Sequence, residues 1–175
     1  MQKDTPGPSP TAFTAAPLRN RMRVELHASV ADVWALIGNL ERYPEYSAGL
    51  ERVDVTRDAK GKCTEYVCHF RPVQEGQGSM SHREIVRWFE PNRGYASMAE
   101  EPNPFGLANC LTLVTLEESG RGTILTWSEY FDSSDAPAQK AIFEQALADI
   151  SERLAARFGG RRVENYVESA QVGSK

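Results

Sequence analysis

The sequence predicts an α+β fold with a seven-stranded antiparallel sheet, one long helix near the C-terminus and two short helices between strands one and two. Three observations predict it. Six segments between residues 52 and 131 are rich in β-branched and aromatic residues, and four short Gly-containing links separate them in the manner of hairpins. After Asp135 the apolar residues change from a period of two to a spacing of three and four, and hold it as far as Phe158. Between the first strand and the remaining six, a capping sequence and two interrupted apolar turns mark short helices.

Residues 1–18 carry Pro6, Pro8, Pro10 and Pro17 among small polar residues, too little apolar surface to offset the entropy of ordering, so a flexible leader is expected. The folded domain is expected over residues 19–160. In the first strand Met22, Val24 and Leu26 alternate with Arg21, Arg23 and Glu25, which gives one buried face. Ser29-Val30-Ala31-Asp32 then offers a hydroxyl to an orphan helix amide and a carboxylate to the positive helix end. Val30, Val33 or Trp34, Ile37 and Leu40 form the apolar stripe of this helix; Gly38-Asn39 and Pro44 interrupt it, and a second short helix follows over Glu41 to Ser47.

Strands are expected over Arg52 to Arg57, Lys62 to Phe70, Met80 to Glu90, Tyr95 to Glu100, Leu107 to Glu117 and Thr123 to Phe131. Short links make consecutive strands antiparallel. The long helix has Pro137 in its first turn and places Phe143, Ala146, Leu147, Ile150, Leu154 and Phe158 on one face. Gly159-Gly160 stops it, with Arg153 and Arg157 opposing the negative dipole end. Residues 161–175 read as a tail.

At 175 residues the chain has room for one domain, and 41% apolar against 25% charged residues is enough to build a core without staples. A net charge of −4 lacks the basic field that phosphate-backbone binding needs, so no nucleic-acid partner is expected. Cys63, Cys68 and Cys110 form an odd set without CxxC spacing, and no apolar secretory segment opens the chain, which makes a reducing cytoplasm the expected location. No apolar run approaches the roughly 20 residues of a membrane span. Neither GxGxxG nor GxxxxGK[ST] occurs, and Cys68 and His69 point to opposite faces of one strand, so neither cofactor nor metal is expected.

Val24-Glu25-Leu26-His27-Ala28 running into Val33-Trp34-Ala35-Leu36-Ile37, then Leu40-Glu41-Arg42-Tyr43-Pro44-Glu45, Phe89-Glu90-Pro91, Gly122-Thr123-Ile124-Leu125-Thr126-Trp127 and the terminal helix resemble one superfamily. It is the START/Bet v 1-like (SRPBCC) superfamily, in particular its polyketide cyclase/dehydrase and lipid-transport branch. The resemblance covers about residues 21–160. It implies the helix-grip fold, a curved sheet wrapped around the long helix, with a deep apolar cavity between them for a hydrophobic or aromatic small molecule. The same fold serves enzymes, carriers and interaction modules, so fold alone leaves activity open.

Strand parity nominates the site. Leu125, Trp127, Glu129 and Phe131 share a face, and three apolar members make it the inner one. Glu129 is then a buried carboxylate in need of a partner, unless it reaches solvent at the strand end. Thr64, Tyr66, Cys68 and Phe70 are assigned inward on another strand, with Tyr66 as a hydroxyl donor and Cys68 as a small hydrophobe. Parity cannot orient Met80 to Phe89: Met80, His82, Glu84, Val86 and Trp88 form one face and Ser81, Arg83, Ile85, Arg87 and Phe89 the other.

Here the resemblance implies an inward arginine before the hairpin, at the position of Arg87. It also implies an aromatic at Tyr43, with Tyr46 one turn on. Departures accompany it, because Ser81, Arg83 and Leu50 stand where the aromatic cyclases carry tryptophans and a tyrosine. Glu129 as proton shuttle and Arg87 as electrostatic clamp are the catalytic candidates; Tyr43, Tyr46, Tyr66, Phe70, Trp127, Phe143 and Leu147 are the ligand-contact candidates. Three functions follow: a polyketide cyclase/dehydrase, with an acyl carrier protein as a candidate partner; a non-catalytic carrier of lipid, quinone or polyketide; or an interaction module that uses the sheet edge or groove for a protein partner. The chain is read as a monomer or homodimer.

Overall fold

The structure, a computed structural model, describes residues 7–72 and 74–168. Strand β1 (Leu18–Leu26) leads through helix α1 (Val30–Ile37) and a 3-10 turn (Leu40–Glu45) to β2 (Leu50–Arg57), β3 (Cys63–Phe70), β4 (Met80–Glu90), β5 (Gly94–Ala99), β6 (Leu107–Ser119) and β7 (Gly122–Ser133). Helix α2 (Ala136–Phe158) follows, then β8 (Gly160–Val167). The sheet is antiparallel, in the order β2-β3-β4-β5-β6-β7-β1-β8. Ser29 caps α1 as its sequence implies, its hydroxyl accepting the Asp32 amide at 3.1 Å.

The sheet has eight strands where seven are expected. The eighth comes from the stretch read as a tail, of which residues 169–175 lie outside the described residues. No position of β8 is buried, so it lacks the alternating apolar pattern by which strands are recognised. Pairing with β1 and polar contacts hold it instead. Arg21 reaches Glu164 at 2.6 Å, and Lys140 Nζ donates to the Glu168 carbonyl at 2.5 Å.

Gly159 and Gly160, at φ of 73° and 122°, turn the chain from helix into sheet. A Cβ on Gly160 would overlap the Glu25 carbonyl oxygen of β1. Gly160→Ala is therefore expected to break the start of the β1–β8 ladder. In hydrogen exchange, amides of residues 161–167 should lose protection while the β1–β7 ladder keeps its own; unchanged protection in β8 would refute this.

The leader is likewise corrected over its described part; residues 1–6 lie outside the described residues. Pro10–Ala12 form a 3-10 turn, and Thr14 Oγ1 donates to the Asn109 carbonyl at 2.9 Å. Phe13 joins Trp88, Met98 and Tyr130 against Ala96, Leu111 and Leu113, covering an apolar patch on the sheet face away from α2. A sheet covered on both faces is apolar on both.

The main core lies on the other face. Met22, Val24, Leu26, Leu125 and Trp127 of the sheet meet Leu147, Ile150 and Leu154 of α2. Each such aliphatic side chain contributes roughly 1.5–3 kcal/mol by burial, so this stripe is what fixes the helix over β1, β7 and β8. Two polar links tie α2 to the segment before β2: Asp149 accepts the Ala48 amide at 2.7 Å, and Arg157 pairs with Glu45 at 2.8 Å.

Candidate functional site

The sheet and the α2 segment from Ile142 to Ile150 enclose a cavity of about 540 Å³. Its walls come from β3, β4, β6, β7, residues 47–50 and the α2 face from Ile142 to Ile150. Tyr66, Phe70, Trp127, Phe143, Leu147 and Ile150 make most of it apolar, and the volume suits a drug-sized ligand. Exposed Ala48, Gly49, Arg71, Ile142 and Gln145 belong to the lining, which opens it to solvent on that side.

Polar groups gather on the sheet side. Trp127 Nε1 donates to Glu129 Oε1 at 2.8 Å, and Thr112 Oγ1 donates to Oε2 at 2.9 Å. Burial pushes the Glu129 carboxyl up to about 8 and the negative charge of Glu84 adds to this; the two hydrogen bonds work in the opposite direction. Glu84 is itself buried, with Oε1 held by His82 Nε2 at 2.9 Å. The His82 ring packs with Phe70 and Phe105 in a three-ring cluster, at centroid distances of 5.3 and 5.4 Å, with 5.2 Å between the two phenyl rings. Tyr66 Oη shares a 2.8 Å hydrogen bond with Ser97 Oγ, and burial raises the Cys68 thiol well above its ordinary range, which removes it as a nucleophile.

Among the sequence-nominated residues, Glu129, Tyr43, Tyr66, Phe70, Trp127, Phe143 and Leu147 all line the cavity. Tyr46 does not: it is buried behind Tyr43, stacked on it at 5.1 Å.

Arg87 is the larger correction. It is exposed and takes no part in the cavity wall. The β4–β5 register steps from Val86↔Ser97 to Trp88↔Ala96, so an extra residue sits in β4 at Arg87. This bulge resets the alternation: Val86 and Phe89 both join the main core, while Trp88 packs on the opposite face. Inward positions therefore fall to His82 and Glu84, which the sequence placed on one face without choosing that face. Thr112 was missed as well.

An antiparallel sheet gripping a long C-terminal helix across an apolar cavity defines the START/Bet v 1-like helix-grip class, the SRPBCC superfamily. Within it, the chain belongs to the family described as polyketide cyclase / dehydrase and lipid transport, which matches residues 18–166. Similar solved structures include a START superfamily protein from Mycobacterium smegmatis, with a TM-score of 0.67 at 16% identity over 81% of this chain and 97% of that one. The protein XoxI from Bacillus cereus gives a TM-score of 0.64 at 20% identity over 80% and 95%. The di-domain ARO/CYC StfQ from the steffimycin biosynthetic pathway gives 0.60 at 11% identity, covering 81% of this chain and 50% of StfQ. At these identities the likeness is one of fold. No curated protein matches the chain. Among the described residues, no helix is long and apolar enough to cross a membrane.

Proposed function

We propose that the chain carries a hydrophobic small molecule in its cavity and releases it chemically unchanged. The observation that carries this reading is the composition of the wall, which is apolar around one buried polar cluster. A cyclase reading asks for a cation against the developing enolate. Among the described lining residues Arg71 is the one Lys or Arg, and it is exposed at the solvent side, where water screens its charge. With Arg87 outside, the electrostatic clamp is lost and the carrier reading gains.

Ala146 lies on the α2 wall among larger neighbours. Ala146→Trp is expected to fill the space and weaken binding of a polycyclic fluorescent probe such as pyrene at least tenfold, with an unchanged fold by circular dichroism. Wild-type affinity in that variant would place the ligand elsewhere. One observation favours chemistry: a carboxyl pushed to about 8 is poised to exchange a proton near neutral pH. Turnover of a poly-β-keto substrate by the wild type, lost in Glu129→Gln and retained in Arg87→Met, would replace the carrier reading with a catalytic one.

A further inference from the structure

Glu84 is 5% exposed and lines the cavity, and its two oxygens are treated unequally. Oε1 is fixed by His82, whereas Oε2 is buried with no hydrogen-bond partner among the described residues. A half-satisfied carboxylate in an otherwise apolar pocket is a cost the folded chain carries until a donor arrives. The imidazole, packed against the Phe70 and Phe105 rings, orients this acid. His82 is thus a positioning residue. Across the same cavity both oxygens of Glu129 are already engaged, Oε1 with Trp127 Nε1 and Oε2 with Thr112 Oγ1.

We propose that the cavity selects a neutral, hydroxyl-bearing aromatic or alicyclic ligand, whose O–H donates to Glu84 Oε2, and discriminates against carboxylate-bearing lipids. The inference rests on the carrier reading and adds the chemical class of its cargo. A phenol or alcohol brings the missing donor and no charge. A carboxylate brings only acceptors and a negative charge toward a wall that already holds two acidic side chains. Arg71, the one guanidinium among the described lining residues, is exposed and gives an anion little compensation.

Three matched probes test this at pH 7 by fluorescence titration: pyrene, 1-hydroxypyrene and 1-pyrenecarboxylate. The hydroxyl compound is expected to bind about tenfold tighter than pyrene, the size of effect a hydrogen bond to a charged group gives, and the carboxylate to bind weakest. In Glu84→Gln, which keeps shape but can turn an amide N–H toward the ligand, the advantage of 1-hydroxypyrene over pyrene should shrink to threefold or less. Equal or tighter binding of the carboxylate by the wild type would overturn the inference without touching the carrier reading, and so would an undiminished hydroxyl advantage in Glu84→Gln. The wild-type ranking needs no variant, so it stands even if Glu84→Gln folds poorly. If none of the three probes binds, the carrier reading fails and the inference falls with it.

Discussion

Trp127→Ala is expected to lower the unfolding free energy by about 3–5 kcal/mol, the range for removing a large aromatic from a core. Trp127 is fully buried, with its ring 5.5 Å from that of Tyr43 and 6.3 Å from that of Tyr95. Truncation leaves a hole joined to the cavity and also removes the N–H that Glu129 Oε1 accepts. Two effects with one origin are separable. Trp127→Phe keeps one six-membered ring and loses the donor with part of the indole, so it should cost less, about 1–3 kcal/mol, of which the orphaned buried acceptor is one part. Urea denaturation of the two variants measures both quantities; a loss below 1 kcal/mol in Trp127→Ala would mean that the indole is a ligand surface and no part of the core.

How much of this was legible in the sequence varies from strand to strand, for physical reasons. The inner face of β7 was legible because Leu125, Trp127, Glu129 and Phe131 keep one parity along an unbroken strand. Parity on β4 was not, since two features defeat it together. The N-terminal segment covers Trp88 and so makes the outer face apolar, and the bulge at Arg87 puts Val86 and Phe89 on the same side although they are three positions apart. One cue was present: Val86, Trp88 and Phe89 are three large apolar residues that no unbroken strand can bury on a single face. The family resemblance points to an arginine at position 87, which the bulge turns outward, while His82 and Glu84 line the cavity. β8 left no cue of this kind, because hydrogen bonding to β1 and ion pairs hold it, and neither has a hydrophobic period.

Glu129 is expected to make stability fall as pH rises, the reverse of the usual behaviour of a carboxylate. Its ordinary value of 4.5 describes the unfolded chain, while burial in the fold pushes it to about 8. Between these values the folded protein holds a proton that the unfolded chain has released, so rising pH favours unfolding. The stabilisation is complete below about pH 4.5, declines by up to about 1.4 kcal/mol per pH unit, and is gone once pH has passed through about 8. Glu129→Gln retains every other ionisable side chain of the cluster, so a difference measurement against it isolates Glu129 to first order. Glutamine keeps the carbonyl that accepts from Trp127 Nε1 and turns its amide toward Thr112 Oγ1, which can accept in place of donating. The variant should therefore match the wild type near pH 5 and surpass it progressively toward pH 9, in denaturation midpoint and in melting temperature alike. Parallel curves across that range would mean that Glu129 is already ionised in the fold at neutral pH. A wild type that gains on the variant with rising pH would reverse the sign, and would require a cation close to this carboxylate that the arrangement of Trp127, Thr112 and Glu84 does not provide.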